Sequence, residues 1–128
     1  MSTTTYSVTA VREGRWWEIQ VPEVGGHTQA RRLSDIELLA RELIAVTLDV
    51  PLSAVAVDVT ITKVGSVENV SERAAAIRDA RRQIVELERW QLAEATQLAH
   101  ELTDAAVPLR DIGTILDVSF QRVHQLTA

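Results

Sequence analysis

The stretch VPLRDIGTILDVSFQRVHQL, Val107 to Leu126, holds the side chains of this chain best suited to directed recognition chemistry. Ser119, Phe120, Gln121, Arg122, His124 and Gln125 follow one another there, with Arg110 a little earlier. Gln pairs bidentately with adenine, Arg with guanine, and Phe makes apolar contact with a thymine methyl group. Ser119, at the start of a short helix, suits a phosphate, and Arg110 is a second phosphate candidate. His124 is a further candidate for DNA contact. Covalent and metal chemistry is poorly provided for. His27, His100 and His124 lie far apart, there is no cysteine, and no HxxxH, HExxH or CxxC spacing occurs. Gly25-Gly26 reads as a turn rather than a phosphate loop. Glu86 and Glu88 point to different sides of a helix. The acids available on strands, Glu18 and Asp58, are too few for a two-metal centre. The expectation is a protein that is not an enzyme, with no catalytic residues, metal or cofactor.

The elements that would present those side chains follow from apolar spacing. Two short helices crossing steeply need a small residue at the point of closest approach and apolar residues around a tight turn. Counting Leu109 as the first residue, Ile112 is fourth, Gly113 fifth, Leu116 eighth, Val118 tenth, Val123 fifteenth and Leu126 eighteenth. That is the core pattern of a helix-turn-helix, with Gly113 as the small residue. Ser119 is placed to cap the second helix, and Val118 with Val123 to staple it. Asp117 stands where such turns usually carry Gly, and Asp tolerates the left-handed conformation better than most residues. These residues resemble the helix-turn-helix that ends bacterial sigma factors and recurs in many regulators, with LAEATQLAHELTDA as the supporting helix. Pro108 stands where that family often has a capping Thr, which shifts the helix start slightly. The resemblance implies double-stranded DNA as a ligand.

Charge sets a condition on that reading. The chain carries a net charge of −5, and from Val107 onward Arg110 and Arg122 are balanced by Asp111 and Asp117. One copy would attract phosphates weakly. A homodimer doubles the contacts and fixes two half-sites, so a pseudo-palindromic operator and at least a dimer are expected. The absence of cysteine fits a reducing cytoplasm. No run approaches the roughly 20 apolar residues needed to span a bilayer, and MSTTTYSV lacks the pattern of a signal peptide.

The front of the chain reads as strands around one helix. YSVTAV places Tyr6, Val8 and Ala10 on one face, and WWEIQV places Trp17, Ile19 and Val21 on one face with Trp16, Glu18 and Gln20 on the other. Gly14-Arg15 makes the two runs a hairpin. HTQARRL gives a third strand. LSDIELLARELIAVTL predicts a helix with Ser34 as N-cap, Glu37 completing a capping box, Leu33 and Leu38 as a staple, an inner face of Ile36, Leu39, Ala40, Leu43 and Thr47, and Asp49 and Pro51 at its close. AVAVDVTITKV returns to strand periodicity with Val55, Val57, Val59 and Ile61 inward. The order is β-β-β-α-β, with one helix covering one face. Trp16 and Glu18 lie on the uncovered face and are the candidate partner-binding residues.

VGSVENVS is a polar joint, and from about Ser71 a helix of roughly 35 residues, about 50 Å if unbroken, is expected. It carries one apolar seam at Ile77, Ala80, Ile84 and Leu87 and another, offset, at Leu92, Ala95, Leu98, Ala99 and Leu102. That shift means either two packing partners along one helix or a break near Trp90. The fold class is thus α+β. Its parts are a sheet domain over 1–65, a linking helix over 66–91 and a helix-turn-helix domain over 92–128.

The order of Tyr6, Trp17, Pro22, Gly26, Thr28, Gln29 and the helix from Asp35 resembles the HicB-like antitoxin domain over about the first 60 residues. Gly25 stands where that family usually has Pro, and ARRL replaces its usual Gly-Asp-Thr. The resemblance implies a degenerate ribonuclease-H-like sheet without a catalytic centre. It also implies a small basic HicA-like toxin as partner and repression of the chain's own operon through the C-terminal module. Two other readings stay open: a stand-alone regulator whose sheet dimerises or senses a ligand, and a protein-interaction module that does not bind DNA.

Overall fold

The computed structural model describes residues 2–128. It is α+β and falls into two compact units, one ending at Ile77 and the other beginning at Arg78.

In the first unit, strands β1 (Thr4–Glu13), β2 (Trp16–Val21) and β3 (Gly26–Ala30) form an antiparallel meander. Helix α1 (Ile36–Leu48) then returns the chain to β4 (Val55–Val64), which runs parallel to β1. A two-residue strand, β5 (Val67–Glu68), completes a five-stranded sheet of order β3-β2-β1-β4-β5. The first turn needs positive φ, and Gly14 supplies it at 61°. The alternation expected from sequence is realised. Val8, Ala10, Trp17, Ile19, Val21 and Val55 are buried against Ile36, Ala40 and Ile44 of α1. Arg41 ties α1 to the start of β4 by donating from Nε to the Val55 carbonyl (2.9 Å) and from Nη2 to that of Leu52 (3.0 Å).

Four local expectations change. The capping box is absent: Leu33–Asp35 forms a single 3-10 turn, Asp35 occupies the N-cap, and no side chain caps the helix. The reason is that backbone carbonyls take the free N–H groups, Asp35 N donating to Arg32 O at 3.1 Å and Ile36 N to Leu33 O. Leu33 and Leu38, expected as a staple, are each 49% exposed. The inner face of α1 ends on Ile44 rather than Thr47, which is exposed and donates its hydroxyl to Leu43 O at 2.7 Å. The polar joint contains β5, whose Val67 and Glu68 pair with Val64 and Lys63.

Helix α2 (Val70–Asp104) is continuous through Trp90 over 35 residues. Ser71 in its first turn accepts from the Ile61 amide at 2.6 Å and so satisfies a strand donor. In the second unit α2 is followed by α3 (Leu109–Leu116) and α4 (Phe120–Thr127). Ala99, Ile112, Val123 and Leu126 form the buried core there, with Ala95, Leu102, Val107, Leu109, Leu116 and Val118 around it. The two seams of α2 thus differ in environment. Of the second, Ala95, Ala99 and Leu102 pack into that core while Leu92 and Leu98 stay 46% and 39% exposed, and of the first Ile77, Ile84 and Leu87 are 62%, 57% and 64% exposed. Among the described residues no helix is long and apolar enough to cross a membrane.

Candidate nucleic-acid interface

The α3–turn–α4 arrangement is built on backbone contacts. Pro108 is the N-cap of α3, and its carbonyl accepts from the Asp111 and Ile112 amides at 3.0 and 3.1 Å. Proline has no N–H to leave unsatisfied at this start. Asp117 ends α3 in the left-handed conformation, φ 57°, as its residue type permits. The Val118 amide closes the turn on Gly113 O at 2.9 Å. Ser119 caps α4, its Oγ accepting from the Arg122 amide at 3.2 Å. Such a cap contributes roughly 1 kcal/mol.

Gly113 is buried where α3 meets this turn. A Cβ there would stand 2.9 Å from the Val118 carbonyl oxygen and 3.6 Å from Phe120 N and Val123 Cγ2. Glycine is therefore required by space at this position, not by φ.

Val123 and Leu126 turn into the core, so the opposite side of α4 is free. Arg110, Ser119, Phe120, Gln121, Arg122, His124 and Gln125 are all exposed. By helical spacing Gln121, His124 and Gln125 lie on the side away from Val123 and Leu126, with Phe120 and Arg122 on opposite flanks. Phe120 is 48% exposed, a large apolar surface for an unpartnered helix start. Arg122 is already engaged: Nη1 donates to Gln125 Oε1 at 3.1 Å. It also borders a groove of about 360 Å³ whose walls include Trp90, Leu98, Leu116, Val118 and Leu126. Sequence spacing placed these side chains on one helix but did not show that Arg122 is held by Gln125. Ile115 on α3 is 58% exposed. It lies outside the apolar pattern of Leu109, Ile112, Gly113 and Leu116, in keeping with its exposure.

The candidate partner residues of the sheet are also placed. Trp16 is 43% exposed, with the Arg31 guanidinium 5.5 Å from its ring centroid. Glu18 is half-buried and accepts from Gln29 Nε2 at 2.6 Å. His27, His100 and His124 are each exposed and lie on different elements. Among the described residues no three His, Cys, Asp or Glu side chains come together as a metal site would require.

Compared with protein-family models, with curated proteins and with solved structures, the chain finds no match.

Proposed function

We propose that this chain is a DNA-binding transcriptional regulator that acts as a homodimer, with α3 and α4 as a helix-turn-helix and α4 as its reading helix. The observation that carries this reading is the free face of α4. Ser119, Phe120, Gln121, Arg122, His124 and Gln125 all stand exposed on a helix whose other face is locked into the core by Val123 and Leu126. A purely structural closing helix has no need of that set of base-edge donors and acceptors. Dimerisation follows from the weak local charge and uses the uncovered seam of α2 at Ile77, Ala80, Ile84 and Leu87.

The test is a selection of bound fragments from the source genome, followed by gel shifts on the recovered sites. Arg122→Ala and Gln121→Ala each weaken the preferred site by about 1–3 kcal/mol while leaving binding to random duplex nearly unchanged. Unchanged affinity in the double variant rules out α4 as the reader.

The HicB resemblance extends the proposal to an autorepressor whose sheet binds a small basic toxin. The alternating strands and the single helix on one face support a sheet of that kind. Electrostatics restricts where such a toxin docks: Arg31 stacks on Trp16, so a cationic partner is disfavoured at that end of the sheet and favoured near Glu18 and Asp58. Co-purification of a short basic protein encoded next to this chain tests the antitoxin reading. Its absence leaves the stand-alone regulator.

A further inference from the structure

The first unit concentrates positive charge at one end of its sheet, although the chain as a whole is acidic. Arg12, Arg15, Arg31 and Arg32 line one open recess of about 440 Å³. Pairing brings them together. Arg12 lies opposite Trp17 in the β1–β2 ladder, and Trp17 lies opposite Ala30 in the β2–β3 ladder. The Gly14-Arg15 turn and the Arg31-Arg32 exit from β3 therefore fall at the same end.

Two of the four guanidiniums are held in place by aromatic rings. Arg12 stands 5.4 Å from the Trp17 centroid and Arg31 5.5 Å from that of Trp16. Among the described residues no carboxylate lies within 4.0 Å of them. The ion pair within 4.0 Å among the described residues is Arg82–Asp79, in the other unit. Four like charges around one recess repel each other, and a bound anion relieves that repulsion. The charges span β1 to β3, roughly 10 Å at the usual interstrand spacing. One phosphate does not reach across that width, whereas successive phosphates of a strand do. Beside them Trp16 offers an aromatic ring 43% exposed to solvent. Guanidiniums for a backbone and a ring for a base are the two parts of single-strand recognition. An acidic peptide uses only the first.

We infer that Arg12, Arg15, Arg31 and Arg32, together with Trp16, form a binding site for the phosphates and a stacked base of a single-stranded nucleic acid. The site shares no residue with α4 and does not depend on the reading proposed for it.

The experiment uses the full chain and a labelled ten-nucleotide oligouridylate, followed by fluorescence anisotropy across a salt series. Arg15→Ala/Arg32→Ala removes two charges that have no structural partner, and circular dichroism checks that the fold is kept. The expected result is at least a tenfold loss of affinity and a salt slope shallower by about 1.4, since each single-strand phosphate contact contributes about 0.7. Trp16→Ala costs roughly tenfold for the strand and nothing for inorganic tripolyphosphate. Arg122→Ala, on α4, leaves oligouridylate binding unchanged. The inference is overturned if the oligonucleotide does not bind, or binds the double arginine variant as tightly. It is also overturned if Arg122→Ala abolishes binding. If tripolyphosphate binds as tightly as the strand and Trp16→Ala affects neither, the recess holds a compact anion and the strand assignment fails.

Discussion

Gly113→Ala opens the turn between α3 and α4 and removes the proposed DNA binding, although alanine is the better helix former by about 1 kcal/mol. The contact distances decide the sign. The new methyl group would sit 2.9 Å from the Val118 carbonyl oxygen, a backbone atom. That oxygen cannot retreat without disturbing the Val118 amide bond to Gly113 O that closes the turn. Overpacking of this kind costs about 1–3 kcal/mol. The unit has a small reserve against it, because its fully buried side chains come from Ala99, Ile112, Val123 and Leu126. Thermal melting followed by circular dichroism should show an early loss of helix in Gly113→Ala. Gly113→Val, with two further carbons, should leave α3 and α4 unfolded at room temperature and abolish any gel shift. Gly26→Ala is the informative contrast. Its Cβ meets Leu43 Cδ2 at 3.0 Å, the end of a flexible side chain, so the first unit repacks at small cost. Equal destabilisation by Gly26→Ala and Gly113→Ala would show that the turn is not under the constraint described.

The reach of sequence reasoning follows the range of the interactions involved. The strands β1, β2 and β4 were legible because burial on one face imposes a period of two on neighbouring residues. The start and helical character of α2 were legible because no Pro or Gly interrupts it, but its continuity through Trp90 was not, since the shifting seam also fitted a break there. The α4 face was legible for the same local reason: Val123 and Leu126 fix which side points inward, and the rest follows from 3.6 residues per turn. The capping box at Ser34 failed because Ser-x-x-Glu is also compatible with a 3-10 entry, in which backbone carbonyls take the N–H groups first. β5 escaped notice since two residues carry no period. The arginine recess was not legible at all. Arg12 and Arg15 are separated in sequence from Arg31 and Arg32, and only the register Arg12–Trp17–Ala30 puts them at one end of the sheet. The single letters did show one thing about α2, namely that its apolar seam shifts. In the structure Ile77, Ile84 and Leu87, on the first part of that seam, are exposed.

That exposed seam carries the second large prediction: Ile84→Asp converts the proposed dimer to a monomer and takes the proposed operator binding with it. Ile77, Ala80, Ile84 and Leu87 follow a three-four spacing, with Ile in the first place of each heptad and Ala or Leu in the fourth. Ile in the first place with Leu in the fourth favours two parallel strands. In that register Arg81 and Glu88 flank the seam, opposite the neutral Ala76 and Gln83 of the other copy, so no like charges are forced together. Burying a large aliphatic side chain contributes about 1.5–3 kcal/mol, and Ile77, Ile84 and Leu87 enter from both copies. An aspartate in the middle layer loses two such side chains and sets two carboxylates against each other. The dimer dissociation constant should rise at least 1,000-fold, read by sedimentation equilibrium. The melting of the sheet should not change, because Ile84 is not a member of its buried core. Arg82→Ala is the control on the same helix. Its pair with Asp79 is exposed, at 73% and 56% side-chain accessibility, and such pairs contribute about 0–1 kcal/mol. DNA binding should become steeply dependent on protein concentration in Ile84→Asp, since each copy must then find its half-site alone. A wild-type chain that sediments as a monomer at tens of micromolar would overturn the dimer itself, and an Ile84→Asp chain that still dimerises would move its contact off α2; either result leaves the apolar stripe without the role given to it.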